Sequence, residues 1–546
     1  MKEGYVKLKA RSRGFFSARL FIAGTALLFV ATAGHAQLAG DGSAQRLPVE
    51  RIRLMNYYPA ANGWTYMWDR WDPATIEQDF IRIAGMNFNT VRINVLIPAF
   101  ALPTPSSTAL SRLAEVVQLA DRHGLRIQLG LFDWLNNFTS IEDSKRWIDA
   151  VVGPFKDDPR IAFIDLRNEL DTADPAQFAW ARALMPSLKS AAGSIPVTVS
   201  VTAQPGHSVL QHLQELRAAG IPLDMLDVHV YGNAAAAYSK LRDIVEFAGN
   251  LPVIIGEAGY SSYAGYQPND PEGALFGEAP NRIATEAMQA YQLKTLSFAA
   301  KALGLPVIAP WAYSDFTATA IPPSSTASNP REYYYGLLRT DTSEKPAAGF
   351  MRAVNAGAAL SDDFNNGFEQ TDPSGLPVLW RLWTRPCDSA PKPGCGFQAD
   401  FAVDRSLSYE GAVSARISNG ISNQYGIPGY FLSPPIVTVP GQSYSVTAFT
   451  RGDKVRGVAR INISWYTQSG CFIASEAAPS LPPGSSDWTP LSVTFTLPKE
   501  NPSGACGGDL PAYVEIHLES GAPSPAGGGT VWFDDVQFRA MNTKLP

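Results

Sequence analysis

The 546-residue chain is 45% hydrophobic and 17% charged, which excludes a disordered polypeptide and, with 45 Gly and 42 Pro, promises many turns. A net charge of −6 argues against nucleic acid or an anionic membrane surface as partner and fits a neutral polymer better. The length exceeds one ordinary core, so two domains are expected after a leader is removed.

The first element is leader-like. Lys2, Lys7, Lys9, Arg11, Arg13 and Arg19 precede the apolar run LFIAGTALLFVATAG (20–34), and Gly34 and Ala36 frame a cleavage before Gln37. Residues 1–36 thus read as a signal peptide, and the mature protein as secreted or periplasmic. The run is short for a membrane span; an uncleaved anchor is the alternative. Removing the leader takes away those six basic residues and Glu3, which moves the net charge from −6 to −11.

From about 48 to 358, short apolar runs alternate with helical segments. The runs are RIRLMNYY (51–58), NTVRINV (89–95), RIQLGLF (126–132), IAFIDLRNE (161–169), IPVTVSV (195–201), LDMLDVHVY (223–231), PVIIGEAG (252–259) and PVIAPWAY (306–313). Amphipathic stretches such as 75–86, 107–124 and 174–193 lie between them, and Gly124, Gly193 and Gly220 stand where helices should stop. Near-continuous apolar strands imply a parallel sheet buried on both faces. Eight such units predict a (β/α)8 TIM barrel over 37–358. A doubly wound open sheet is the competitor, but no Gly-rich phosphate fingerprint follows the first strand.

After a short linker near 357–362 the pattern changes. Alternating runs at 414–420, 444–452, 458–467, 491–498, 512–520 and 530–540 are separated by Pro-, Gly-, Ser- and Asn-rich turns, which predicts an antiparallel β-sandwich, jelly-roll-like, over 361–546. All four cysteines lie here. An even count in an exported chain suggests disulfides, with Cys387–Cys395 and Cys471–Cys506 the preferred pairing of the three possible. Zinc is the lesser alternative, since no CxxC pair is present.

In a barrel, function gathers at the C-terminal ends of the strands. Those ends carry Arg92 and Asn94, Asp133 and Trp134, Asn168 and Glu169, His229 and Tyr231, Glu257, and Trp311. Glu169 and Glu257 fall after the fourth and seventh strands. Two carboxylates across a barrel mouth suit glycoside hydrolysis, one as acid/base and the other as nucleophile. Arg92 is placed to hold Glu257 ionised, Tyr231 to donate to it, His229 to orient Glu169, and Asn168 to bind a sugar 2-hydroxyl. Structural ion-pairing of such glutamates is the plainer alternative. Tyr57, Tyr58, Trp64, Trp68, Trp71, Trp134, Tyr260, Tyr263, Tyr266 and the YYY at 333–335 are further rim aromatics, each readable as sugar platform or packing.

These residues resemble the clan A glycoside hydrolases, and within them the family 5 cellulases and mannanases. That family places an Asn-Glu acid/base pair after strand four, here Asn168-Glu169, and a Glu nucleophile after strand seven, here Glu257. The resemblance covers about 50–358 and implies sugar-binding roles for Arg92, His229, Tyr231 and Trp311. It departs after strand three, where FDWLN (132–136) replaces a common His and Asp133 is the candidate substitute. SDDFNNGFEQ (361–370) and FDDVQF (533–538) resemble the ends of carbohydrate-binding modules, implying Glu369 and Asp535 as ligands of a structural Ca²⁺. Trp380, Trp383, Trp465 and Tyr466 are either binding face or core.

The expectation is an exported, monomeric, retaining β-glycoside hydrolase that acts on a β-linked polysaccharide or oligosaccharide, needs no cofactor for catalysis, and binds no nucleic acid and, after leader cleavage, no membrane. A transglycosidase acting on an exopolysaccharide and a non-catalytic carbohydrate-binding protein are the alternatives.

Overall fold

The computed structural model describes residues 46–265, 281–360, 363–383, 398–422, 428–522 and 527–541, all of one compact unit. The leader, Tyr266, Cys387 and Cys395 lie outside the described residues. So does the Trp383 side chain.

Parallel strands build the first layer: β1 (Leu54–Asn56), β2 (Thr90–Leu96), β3 (Arg126–Asp133), β4 (Ile161–Asp165), β5 in two pieces (Val197–Thr198 and Ser200–Val201), β6 (Leu226–Val230) and β7 (Val253–Ala258). β1 to the first piece of β5 pair in chain order, and the second piece continues through β6 to β7. Every residue of β2 and β7 is buried. Burial on both faces explains why these runs are apolar throughout and do not alternate.

The eighth run differs from a regular strand. Residues 306–313 bridge β7 at Ala258 and Pro310. Ala309 N donates to Ile255 O at 3.0 Å, and Tyr313 N to Asn56 O of β1 at 3.0 Å, so the segment closes the ring. The barrel is complete, with the fifth position interrupted at Val199 and the eighth held by scattered hydrogen bonds.

Several helices begin where a side chain satisfies their free N–H groups. Asp72, Ser106, Asp174 and Asn281 cap Pro73–Gly85, Ser107–Arg122, Pro175–Ala192 and Arg282–Ala302, and Ser208 with Gln211 makes a capping box before Val209–Ala218. Gly193 ends its helix at φ 66°, a left-handed conformation that a side chain would strain.

The second layer is the expected antiparallel sandwich. One sheet orders its strands as Gln398–Asp404, Ser414–Ile421, Thr530–Met541, Ser443–Val455 and Gly484–Thr496. The other orders Phe472–Ala477, Val458–Thr467, Pro511–Gly521, Gly429–Leu432 and Arg381–Trp383. The strands at 381–383, 429–432 and 472–477 carry too few alternating residues to be recognised from sequence, whereas Gln398–Asp404 does alternate, at Ala399, Phe401 and Val403, and was missed. Cys471 and Cys506 are disulfide-bonded, as the preferred pairing had it. The sandwich core takes in Tyr260, Met288 and Tyr291 from the barrel, and Tyr291 Oη donates to Pro435 O at 2.9 Å.

Candidate active site

Six of the expected residues converge at the C-terminal mouth of the barrel. Arg92 on β2 is 1% exposed, and its guanidinium is the hub. Nη1 donates to Glu257 Oε2 at 2.6 Å and to Asn56 Oδ1 at 3.3 Å. Nη2 donates to Asn168 Oδ1 at 2.7 Å and to Asp165 Oδ2 at 3.2 Å. Tyr231 Oη donates to Glu257 Oε1. His229 Nδ1 lies 3.0 Å from Glu169 Oε1 and 3.6 Å from Glu257 Oε2. A carboxylate oxygen of Glu169, one of Glu257 and a His229 ring nitrogen all fall within 4.8 Å of one another.

The run FIDLRNEL (163–170) splits its polar residues between two directions. Arg167 turns away from the mouth: Nη1 donates to Phe132 O at 2.9 Å, Nε donates to Gln177 Oε1 at 3.2 Å, and the guanidinium lies over the Phe138 ring. Asn168 and Glu169 turn inward. Glu169 reaches its position through a left-handed backbone at φ 49°, a conformation that costs a non-glycine residue about 1–3 kcal/mol unless its surroundings hold it. Its N–H is held by Ser200 Oγ at 2.9 Å.

The electrostatics separate the two glutamates. Burial raises the Glu169 pKa above the ordinary carboxylate value, against the opposing pull of Arg92 and a hydrogen bond from Thr202. Glu257 instead accepts from Arg92 and Tyr231 directly. Burial lowers the His229 pKa to about 4, with the Glu257 charge pulling the other way, so the ring is neutral near pH 7.

Beneath this layer lie groups that sequence reading missed. Asp165, fully buried, accepts from Ser200 N at 2.9 Å, Ser200 Oγ at 2.8 Å and Arg167 N at 3.1 Å, as well as from Arg92. Asp227 is fully buried beside Gly256, where an added Cβ would lie 1.9 Å from its Oδ1. Burial and the charges of Asp165 and Glu257 push Asp227 up to about 8, with Arg92 opposing. The sequence signal was present: Asp165 and Asp227 are charges within otherwise apolar strand runs.

The remaining candidates frame the cleft. Asp133 is 9% exposed and takes the Trp134 N–H at 3.1 Å; burial raises its pKa, while Arg92 and Arg167 lower it. Among the described residues Asp133 makes no hydrogen bond to either glutamate, and Trp134 is half-buried at the edge of the core. Trp311 stands edge-on to Tyr58 and Trp64, which stack on each other at 4.9 Å. Tyr57, Tyr58, Trp68 and Tyr260 are buried, which makes them packing residues and removes them as sugar platforms. Tyr334 is 42% exposed, with Tyr263 against it. Gly259 is required here, because a Cβ would come within 3.1 Å of Trp311 O and the Tyr231 and Tyr335 rings.

In the sandwich, Glu369 Oε1 accepts from Ala412 N at 2.7 Å, and Asp535 Oδ2 accepts from Gln537 Nε2 at 2.7 Å. Trp380 is buried against Phe364 and Phe368, so it is core and not a binding face. Trp465 packs partly buried against the same core, and Tyr466 stacks on Tyr513.

Two carboxylates facing each other across the mouth of a parallel barrel are the kind of pair that retaining glycoside hydrolysis uses. Residues 55–302 match the family model described as Cellulase (glycosyl hydrolase family 5). No curated protein matches the chain. Among solved structures, the exo-beta-1,4-mannosidase Op5Man5 from Opitutaceae bacterium strain TAV5 is similar at 22% identity and a TM-score of 0.45. That match covers 56% of this chain and 59% of the mannosidase, so the chain spans under two thirds of its length. A GH5_18 protein from Bifidobacterium longum subsp. infantis is similar at 17% identity over 60% of this chain and 84% of its own, with a TM-score of 0.45.

Proposed function

We propose that this protein is an exported retaining β-glycoside hydrolase that cleaves a β-linked polysaccharide or oligosaccharide by double displacement. The observation that carries the reading is the approach of Glu169 and Glu257 to within 4.8 Å, close to the roughly 5–5.5 Å separation of retaining enzymes. Glu169, whose pKa is raised, protonates the leaving oxygen. Glu257, gripped by Arg92 and Tyr231, attacks the anomeric carbon. Water enters after the leaving group departs, gives a proton to Glu169, and releases the sugar from Glu257. Asn168, fixed by Arg92, offers a polar group next to the acid for the sugar 2-hydroxyl. His229, neutral and within hydrogen-bond reach of Glu169, orients the acid and adds no charge to the site. Asp133, Trp134 and Trp311 line the sugar cleft in this reading, and no step requires a cofactor.

Export is supported by the leader-like residues 1–36 and by a disulfide, a bond that persists in oxidising compartments. A structural Ca²⁺ in the sandwich belongs to the same proposal. It is supported by the adjacency of its two end segments, where Val536 N donates to Asn366 O at 3.0 Å.

The test is product release from a panel of β-linked polysaccharides and aryl glycosides, wild type beside Glu257→Gln. Release lost in the variant is the expected result. Transfer to added acceptors in place of hydrolysis would indicate a transglycosidase, and tight binding without any product would overturn the enzyme reading in favour of a binding protein.

A further inference from the structure

A second cluster of ligand-type side chains stands apart from the two glutamates. His207 lies in the loop after β5, and His212 and Glu215 lie on the helix Val209–Ala218. The i, i+3 spacing places His212 and Glu215 on one helical face. His207 Nε2 is 3.0 Å from Glu215 Oε1, and the two imidazole rings are 4.6 Å apart. One ligand atom from each of the three residues lies within 4.8 Å of the other two. His212 is fully buried, whereas the His207 and Glu215 side chains are 19% and 40% exposed, so the cluster opens to solvent on one side.

The hydrogen bonds of this cluster do not close on themselves. Thr172 N–H points at His212 Nδ1 at 3.3 Å, so that nitrogen presents its lone pair. Thr172 Oγ1 lies 2.7 Å from the same nitrogen and 2.5 Å from Glu215 Oε2. A hydroxyl has one proton and cannot satisfy two acceptors. On the far side of the ring, the buried His212 Nε2 has no partner among the described residues. With Nδ1 accepting, a neutral His212 ring carries its proton on Nε2, so the cluster holds one buried N–H to which the described residues offer no acceptor.

We propose that His207, His212 and Glu215 bind a divalent first-row transition cation of the Zn²⁺ class. Two imidazoles and one carboxylate are a donor set that suits such ions better than Ca²⁺ or Mg²⁺, which prefer oxygen throughout. Bond lengths near 2.0–2.2 Å require only a modest contraction of the cluster, with the fourth position taken by water or Thr172 Oγ1. Thr172 follows Glu169 by three residues, so the cation ties the loop that carries the acid to the helix Val209–Ala218. Its role is structural, at a distance from the reacting atoms.

The test uses the full mature chain, stripped with a chelator and titrated with Zn²⁺ and with Co²⁺ as a spectroscopic reporter. The expected result is one Zn²⁺ per chain, a visible Co²⁺ d–d band and a raised melting temperature. In His207→Gln, a partly exposed site whose replacement leaves the core intact, affinity falls by about tenfold or more and the thermal shift disappears. His212→Gln provides the second variant. No uptake by the wild type overturns the proposal. So does uptake that survives both His variants but is lost in Glu257→Gln, because that places the ion at the Glu169–His229–Glu257 trio. Every readout is independent of glycosidase activity.

Discussion

Arg92 Nη1 sits 2.6 Å from Glu257 Oε2, and both groups are nearly removed from solvent. The same guanidinium also faces Asp165 and Asn168, so one cation fixes the nucleophile candidate, a supporting carboxylate and the Asn168 amide. Arg92→Met leaves Asp165 and Glu257 without their shared partner. Loss of one member of a buried ion pair typically costs about 3–5 kcal/mol, and a loss of that order should appear in the denaturant midpoint. Arg92→Lys keeps the charge but not the fork; it should be milder in stability yet still lower kcat, because a point charge cannot serve three acceptors in fixed directions.

The two glutamates should fail differently. On the proposed assignment, Glu257→Gln removes the nucleophile and should abolish turnover of every substrate. Glu169→Gln removes proton transfer, an effect of about 10²–10⁴-fold, so the loss should be large with sugar leaving groups and small with activated aryl glycosides during glycosylation. Burst kinetics across aryl leaving groups of different acidity would check this. Equal losses for all leaving groups would contradict the acid assignment.

The raised pKa of Glu169 carries a direction for the pH profile. A general acid works only while protonated, so activity should fall as pH rises through that pKa. The profile should extend further to the alkaline side than an exposed glutamate would allow. The Thr202 hydrogen bond favours the ionised form. Thr202→Val should therefore move the alkaline limb of kcat/KM to higher pH and leave the fold intact.

Asp227 makes a stability prediction of opposite sign to the usual salt-bridged carboxylate. Its folded pKa, about 8, lies above the unfolded value, so the unfolded chain releases this proton first. Its contribution to stability is greatest below the unfolded pKa near 4 and is lost as pH rises through 8. Asp227→Asn removes the ionisation. The variant should gain on wild type as pH is raised from 4 to 8, with each pKa unit worth about 1.4 kcal/mol at most. Urea midpoints measured across that range would decide it; a gap constant with pH would refute the assignment.

Much of this architecture was legible before any coordinates. Apolar runs alternating with capped amphipathic helices specify parallel strands covered on both faces, and that covering leaves strand ends as the natural place for Asn168, Glu169, His229, Tyr231 and Glu257. The even cysteine count made disulfides readable, and the bond between Cys471 and Cys506 agrees with the preferred of the three possible pairings. Short sandwich strands such as Gly429–Leu432 were not readable, because four residues give too little alternation to stand out from loop.

What only the tertiary structure decided is direction and distance. In a strand buried on both faces, apolar residues occupy the barrel interior and the helix-facing side alike, so periodicity cannot say which side a charge in the run faces. Hence Asp165 and Asp227 passed as strand interior, and Arg167 looked equivalent to Asn168 and Glu169. Closing the ring brings β2, β4, β6 and β7 around one guanidinium. The balance of burial against that single positive charge then sets which carboxyls keep their protons, a sum over neighbours distant in sequence that the linear order of residues does not contain.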